Sequence, residues 1–169
     1  MKKFMLLSAI ALIGTGVFAQ QDKSKRPSPP AKATETTSKG VTITIDYSQP
    51  SVKGRTIGKE IAPYGQVWRT GANEPTSIEV NKEVHIEGKQ LAAGKYAIYS
   101  IPGGEEWTII FNKKWEGWGT QYDESQDIFR VKVKPGKAPQ FTEKMTFTIN
   151  KAGKVDLLWG NEKVEFNVI

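Results

Sequence analysis

The run VTITIDY at residues 41–47 alternates apolar and polar side chains at every position. Successive side chains of an extended strand point to opposite faces, so this pattern predicts a strand with one buried and one solvated face. The alternation returns in residues 129–134, 145–149, 155–159 and 164–168, and no window of about eleven residues carries a helical stripe. We therefore expect an all-β domain, a single antiparallel β-sandwich of jelly-roll or immunoglobulin-like type with roughly nine or ten short strands.

Turn-forming residues between the predicted strands indicate which strands pair. Residues 81–83 read Asn-Lys-Glu, residues 102–104 read Pro-Gly-Gly and residues 160–161 read Gly-Asn. Asn, Pro and Gly favour the tight turns that connect antiparallel strands. We expect a hairpin around each of these turns, and a further turn at residues 152–153 between the two strands that flank it.

The beginning of the chain has the pattern of a secretory signal peptide. Two lysines precede an apolar run at residues 4–13, and a small-residue region follows at residues 14–19, with Val17 and Ala19 at the positions that a signal peptidase reads. The apolar run is too short to span a bilayer. We expect residues 1–19 to be removed by cleavage after Ala19, and the protein to be periplasmic or secreted without a membrane span.

Residues 20–39 are rich in Lys, Ser, Thr and Pro and show no apolar periodicity. This composition predicts a disordered tether, with one β-sandwich domain at residues 40–169. The first 39 residues hold 7 of the 24 basic and 2 of the 18 acidic residues, which leaves 17 basic and 16 acidic residues in the domain. A domain so close to neutral offers no electrostatic basis for binding nucleic acid.

Several kinds of chemistry lack their residues. The chain has no Cys and a single His, His85, which alternates with Val84 and Ile86 and is expected on the solvated face of a strand. Zinc sites, multi-histidine iron sites and a Ser-His-Asp triad all need more than this inventory supplies. We predict no catalytic residue, no metal ligand and no cofactor.

Residues 68–74 read Trp-Arg-Thr-Gly-Ala-Asn-Glu and interrupt the strand pattern with a shaped, polar loop. The planar fork of Arg69 suits a carboxylate, either that of Glu74 in a clamp across the loop or that of an acidic ligand. Gly71 is expected to supply a backbone angle that other residues avoid. Asn73 completes the polar set of this loop.

Three aromatic residues lie among glycines in residues 115–122. On a loop such rings can form a platform for the apolar face of a sugar, or they can cap the open end of a sandwich. Combined with the preceding loop, they give a candidate ligand-binding set: Arg69, Asn73, Glu74, Trp115, Trp118 and Tyr122.

The same loop carries a family likeness. Residues 63–74, together with residues 93–96, 101–103, 106–113 and 118–119, resemble a bacterial secreted family known as domain of unknown function 2911. The likeness extends over nearly all of residues 40 to 135. It implies an exported β-rich domain and brings no activity, substrate or catalytic residue with it.

Three functions are compatible with these observations. The first is an exported, non-catalytic binding module of the cell envelope, with a small molecule, a glycan, a peptide or an envelope protein as its partner. The second is a hydrolase or lyase that uses carboxylates and Arg69, which requires a carboxyl of raised pKa in a cleft beside Arg69. The third is a structural or partner-binding envelope protein, which requires that the Arg69 fork be consumed internally and that no ligand-sized pocket exist.

Overall fold

The structure is a computed structural model that describes residues 22–169. Apart from two 3-10 turns, Lys23–Lys25 and Glu124–Gln126, the regular elements in this range are ten strands. In chain order they are Pro30–Thr36 (β1), Thr42–Ser48 (β2), Thr76–Val80 (β3), Val84–Ile86 (β4), Lys89–Leu91 (β5), Gly94–Ile101 (β6), Trp107–Asn112 (β7), Asp127–Val133 (β8), Gly136–Ile149 (β9) and Lys154–Asn167 (β10).

The strands form two layers. Six of them make one antiparallel sheet in the order β1-β2-β3-β6-β7-β8. The long strands β9 and β10 pair with each other, and a bridge between Ile86 and Val168 connects the small β4–β5 hairpin to the end of β10. The arrangement is sandwich-like and confirms the predicted all-β fold class.

The core lies between the layers and follows the alternation of the sequence. The inward side chains of the six-stranded sheet, such as Ile43, Ile45 and Ile78, are fully buried. They pack with Phe147 and Trp159 of the β9–β10 hairpin in one hydrophobic cluster. On the outer face of this sheet, Ala97, Tyr99 and Ile110 form a second, smaller buried cluster.

Two of the predicted turns connect paired strands as expected. Strands β6 and β7 form a hairpin around residues 102–104, and β9 and β10 are joined through residues 150–153. The hairpin predicted around residues 81–83 is wrong, because β3 pairs with β2 and β6 while β4 pairs with β5. The turn at residues 81–83 thus carries the chain from one layer to the other.

The hairpin predicted around residues 160–161 is also wrong, since β10 is one continuous strand through them. Gly160 adopts a positive φ of 58°, and the register with β9 shifts on both sides of it. A bulge of this kind bends a strand without ending its pairing. The Gly-Asn pair that looked like a turn is therefore a bend in a long strand.

The predicted disordered tether is wrong for residues 30–36, which form β1 and pair with β2 along its whole length. Ala31 and Ala33 are half-buried against the core. Backbone hydrogen bonds do not require large apolar side chains, so a strand could form from a composition typical of linkers. The domain consequently begins before residue 40.

The predicted signal peptide lies outside the described residues. Within residues 22–169, no helix has the length and apolar character needed to cross a membrane.

Candidate functional site

The loop at residues 69–75 begins and ends beside strand β6, because Trp68 before it and Thr76 after it both pair with β6. Trp68 exchanges two backbone hydrogen bonds with Ser100 of β6, at 2.8 and 2.7 Å. Thr76 begins β3, and its amide donates to the Arg69 carbonyl at 3.3 Å, which closes the base of the loop. Because neighbouring side chains of an extended chain point to opposite faces, Trp68 enters the core and Arg69 lies on the outer face.

Trp68 fixes this loop to the core. Its ring stacks on Trp159 with centroids 5.3 Å apart and planes 11° apart, and it meets Trp107 edge-on at 6.2 Å. Its indole Nε1 donates to the carbonyl of Gly71 at 3.1 Å. The loop is therefore held at both its start and its middle by a half-buried aromatic residue that packs on the core.

The unusual backbone angles of the loop occur at other residues than Gly71, where they were expected. Thr70 and Asn73 adopt positive φ values of 52° and 61°, whereas Gly71 does not. At Gly71 the requirement is space, because a Cβ there would lie 2.8 Å from Thr76 Oγ1 and 3.2 Å from the Ser48 carbonyl. Thr76 Oγ1 also donates to the Thr70 carbonyl at 2.7 Å, which stabilises the strained turn.

The segment that precedes β1 is bound to this loop. Arg26 Nη1 donates to both carboxylate oxygens of Glu74, at 3.0 and 2.9 Å, and Lys23 Nζ lies 3.1 Å from Glu74 Oε1. Asn73 Nδ2 donates to the Ser28 carbonyl at 3.0 Å. Both polar residues at the end of the loop therefore bind residues that the sequence had assigned to a tether.

These contacts correct the predicted clamp between Arg69 and Glu74. Burial acts to raise the pKa of Glu74, but hydrogen bonds from its own backbone N–H and from Arg26 and Lys23 outweigh it and lower the pKa to about 2. Glu74 is thus a carboxylate near neutral pH. Arg69 has no salt-bridge partner among residues 22–169.

A second loop, residues 113–126 between β7 and β8, folds back over the outer face of the sheet. The amide of Gly119 donates to the Asn73 carbonyl at 3.0 Å. Tyr122 packs its ring on Tyr99 of β6, with centroids 4.8 Å apart, in a small apolar cluster separate from the core. Residues of the two loops together line two depressions.

One depression is a groove of about 350 Å³ that we call the Trp115 groove. Trp115 is 37 % exposed, and Lys95 Nζ lies 4.6 Å from its ring centroid. The Asp46 carboxylate forms salt bridges with Lys32 Nζ at 3.0 Å and with Lys95 Nζ at 3.3 Å. The groove is lined by Lys23, Pro30, Ala31, Asp46, Tyr47, Ser48, Glu74, Pro75, Ser77, Lys95, Trp115, Glu116 and Gly117.

The other depression is a pocket of about 200 Å³ that we call the Arg69 pocket. Burial lowers the pKa of Arg69, which Tyr99 partly offsets, and burial raises the pKa of Tyr99. Gly119 forms part of the wall because a Cβ there would lie 2.2 Å from Arg69 Cδ. The pocket is lined by Val67, Trp68, Arg69, Tyr99, Gly119, Thr120 and Tyr122.

The six predicted site residues do not meet in one concavity. Glu74 and Trp115 line the groove, while Arg69 and Tyr122 line the pocket. The Asn73 side chain is used in binding Ser28. Trp118 is 47 % exposed and lines neither depression. The sequence treated these residues as one set, whereas the structure divides four of them between two depressions.

Sequence reasoning missed four residues that matter at these depressions: Lys23, Asp46, Lys95 and Tyr99. The signal for Tyr99 was present, because residues 96–101 read Tyr-Ala-Ile-Tyr-Ser-Ile with almost no polar alternation. Such a run is typical of a strand covered on both faces. It could have indicated that a loop packs on the outer face of β6.

His85 is exposed on β4, as its alternation predicted. Within the described range, no three residues among His, Asp and Glu are grouped so that they could hold a metal ion.

The profile of a family described as "Protein of unknown function (DUF2911)" matches residues 28–168. This match begins ahead of β1 and so includes the strand that the sequence had placed in a tether. No curated protein and no solved structure matches the chain.

Proposed function

Because the chain belongs to the family described as protein of unknown function DUF2911, and that description carries no activity, we propose a function from the geometry of the Trp115 groove. The protein is an exported, non-catalytic binding module of the cell envelope that takes a short neutral glycan into this groove. The observation that carries the proposal is the position of a part-exposed indole beside compensated carboxylates and serine hydroxyls in one concavity.

The lining of the groove matches the two surfaces of a sugar. The Trp115 ring offers an apolar plane, and Lys95 holds the ring in place from one face. Ser48 and Ser77 bring hydroxyl groups that can donate and accept hydrogen bonds. A mixture of an aromatic plane and a few fixed polar groups is common in sites for small ligands, and a volume of about 350 Å³ lies at the small end of such sites.

The charges of the groove favour a neutral ligand. The Asp46 carboxylate forms salt bridges with Lys32 and Lys95. The Glu74 carboxylate forms salt bridges with Arg26 and Lys23. Carboxylates that are already paired can still accept hydrogen bonds from hydroxyl groups, but they attract a free cation only weakly.

The alternative functions have less support. A hydrolase needs a general acid, and Glu74 stays ionised because its pKa is about 2. Burial raises the pKa of Glu162, but that carboxyl lines neither depression. A purely structural role required an Arg69 fork fully consumed by internal carbonyls or carboxylates, whereas Arg69 Nε is buried without a hydrogen-bond partner and no carboxylate within residues 22–169 pairs with the fork.

A glycan array compares the wild-type protein with Trp115→Ala and Trp118→Ala. We expect Trp115→Ala to weaken binding about tenfold, because the sugar loses its aromatic plane. Trp118→Ala is the matched control, since it removes an exposed indole from the same loop outside the groove. Equal binding by Trp115→Ala and wild type, or equal losses in both variants, would contradict the proposal.

A further inference from the structure

The Arg69 pocket contains a cation without a counter-ion. The Nε atom of Arg69 is buried without a hydrogen-bond partner, and no carboxylate of residues 22–169 comes within salt-bridge distance of its guanidinium. A half-buried charge in this condition carries a desolvation penalty that Tyr99 offsets only in part and that no carboxylate in the described chain compensates. An anion that entered the pocket would supply the missing partner.

Among the four arginines of residues 22–169, Arg69 is the one with a buried guanidinium nitrogen that lacks a hydrogen-bond partner. Arg55 has no carboxylate partner either, but its guanidinium donates to two backbone carbonyls at 3.1 and 2.7 Å. Arg26 is bound by Glu74 at 2.9 Å, and Arg130 is bound by Asp127 at 2.8 Å and by Glu124 at 2.7 Å. Glu74 follows Arg69 closely in sequence, but it is held in the groove on the other side of the loop.

Two tyrosines line the pocket, and their hydroxyl groups differ. Tyr122 donates to Asp127 Oδ2 at 2.7 Å and accepts from Arg130 Nη2 at 2.9 Å, so its hydroxyl is already occupied. Tyr99 is 2 % exposed, and its hydroxyl makes no hydrogen bond within residues 22–169. Tyr99 therefore has a donor available to a ligand, while Tyr122 contributes an aromatic wall.

The Arg69 pocket is lined by one charged side chain and otherwise by neutral residues. Its lining includes no Asp, Glu or Lys, so Arg69 is the one formal charge among the described residues that form it. A single cation among neutral and aromatic groups matches a monoanion better than a dianion. The guanidinium fork also has the planar geometry that a carboxylate accepts.

We propose that the Arg69 pocket is a carboxylate-binding site, in which the Arg69 fork holds the two oxygens and the Tyr99 hydroxyl donates a further hydrogen bond. The ligand is a small carboxylate group, either on a sugar acid or at the carboxyl terminus of a peptide. This site is separate from the Trp115 groove and does not depend on glycan binding there.

The test is an NMR titration of the purified protein labelled with ¹⁵N, followed at the Arg69 Nε–Hε signal and at the amides of Gly119 and Thr120. The probes are glucuronate, its methyl ester, a short peptide with a free or an amidated carboxyl terminus, and inorganic phosphate. Ionic strength is held constant with sodium chloride. We expect saturable shifts with glucuronate, with the free-acid peptide or with both, and none with the ester or the amide.

Variants assign the effect to the proposed groups. We expect Arg69→Lys to weaken carboxylate binding about tenfold, because it keeps the charge but loses the fork, and Tyr99→Phe to weaken it severalfold. Lys89→Met removes one positive charge on the exposed strand β5 and should bind like the wild type. The amide spectrum of each variant shows whether it is folded.

Three results would overturn the carboxylate site. These are unchanged Arg69 signals with both carboxylates, shifts that sodium chloride reproduces, or binding of phosphate in preference to carboxylate. A loss of glycan binding in Trp115→Ala leaves the Arg69 titration unaltered, so the two proposals fail separately.

Discussion

Gly119 is the residue on which the contact between the two loops depends. Its amide binds the Asn73 carbonyl, and its missing side chain leaves room for Arg69. A Cβ at this position would lie 2.2 Å from Arg69 Cδ and 2.7 Å from the Asn73 carbonyl oxygen. The Arg69 pocket can form because the loop comes this close, and only a glycine allows the approach.

We predict that Gly119→Ala destabilises the protein by about 1–3 kcal/mol, because the added methyl group displaces Arg69 or separates the loops. Chemical denaturation measures this difference. Gly104→Ala is the control: its Cβ would meet nothing closer than 3.7 Å, so a change below about 0.5 kcal/mol is expected. Equal stability of Gly119→Ala and wild type would mean that the close approach of the loops does not contribute to folding.

Strand β1 shows where sequence reasoning fails at the scale of an element. Ala31 and Ala33 give only a weak alternation, and the prolines before them are typical of linkers. The strand is held by its ladder to β2, and Thr34 and Thr36 contact Thr44 and Thr42 across it through hydroxyl pairs at 3.0 Å. These contacts depend on the partner strand, which no local pattern reveals.

We predict that a chain beginning at residue 40 is less stable than one beginning at residue 22 by on the order of 3 kcal/mol, since it loses the β1–β2 ladder. A chain beginning at residue 29 keeps β1 and should lose only about 1 kcal/mol with the ion pair of Arg26 and Glu74. Thermal and urea unfolding of the three chains compare them. Equal stabilities would restore the interpretation of residues 20–39 as a tether.

At the scale of the whole molecule, the fold class was predictable, whereas the contacts of the candidate residues were not. Alternation in single strands specifies which side chains are buried, and the residues at 43, 45, 147 and 166 are buried as that pattern requires. The partners of Arg69 and Glu74 depend instead on how the segment before β1 and the loop before β8 lie on the sheet. Arg26 and Glu74 are separated by 48 positions, a distance at which sequence pattern carries no pairing information.

We predict that stability falls in acid through Glu74. Its pKa is about 2 in the folded protein against an ordinary 4.5, so the unfolded chain binds the proton more strongly. The contribution is complete above about pH 4.5 and is lost as the pH falls toward 2. Because the side chain is 37 % exposed, we expect on the order of 1 kcal/mol.

Urea unfolding between about pH 2 and pH 7 should show a larger loss in the wild type than in Glu74→Gln, which keeps other carboxylates of lowered pKa such as Glu35 and Glu165. Arg26→Met should weaken the same dependence, because it removes a hydrogen-bond donor that lowers the Glu74 pKa. Parallel curves for wild type and Glu74→Gln across this range would contradict the assignment.

The stacking of Trp68 on Trp159 also gives the protein an optical property. Three of its five tryptophans form one packed group, in which Trp107 and Trp159 are buried and Trp68 is half-buried, while Trp115 and Trp118 are 37 % and 47 % exposed. Intrinsic fluorescence is therefore a sum of two populations, one shielded from dissolved quenchers and one open to them. The shielded emission is expected to follow the integrity of the sandwich, and the open emission to follow the loop that holds Trp115 and Trp118. Quenching experiments should therefore separate unfolding of the sandwich from changes in the loop at residues 113–126.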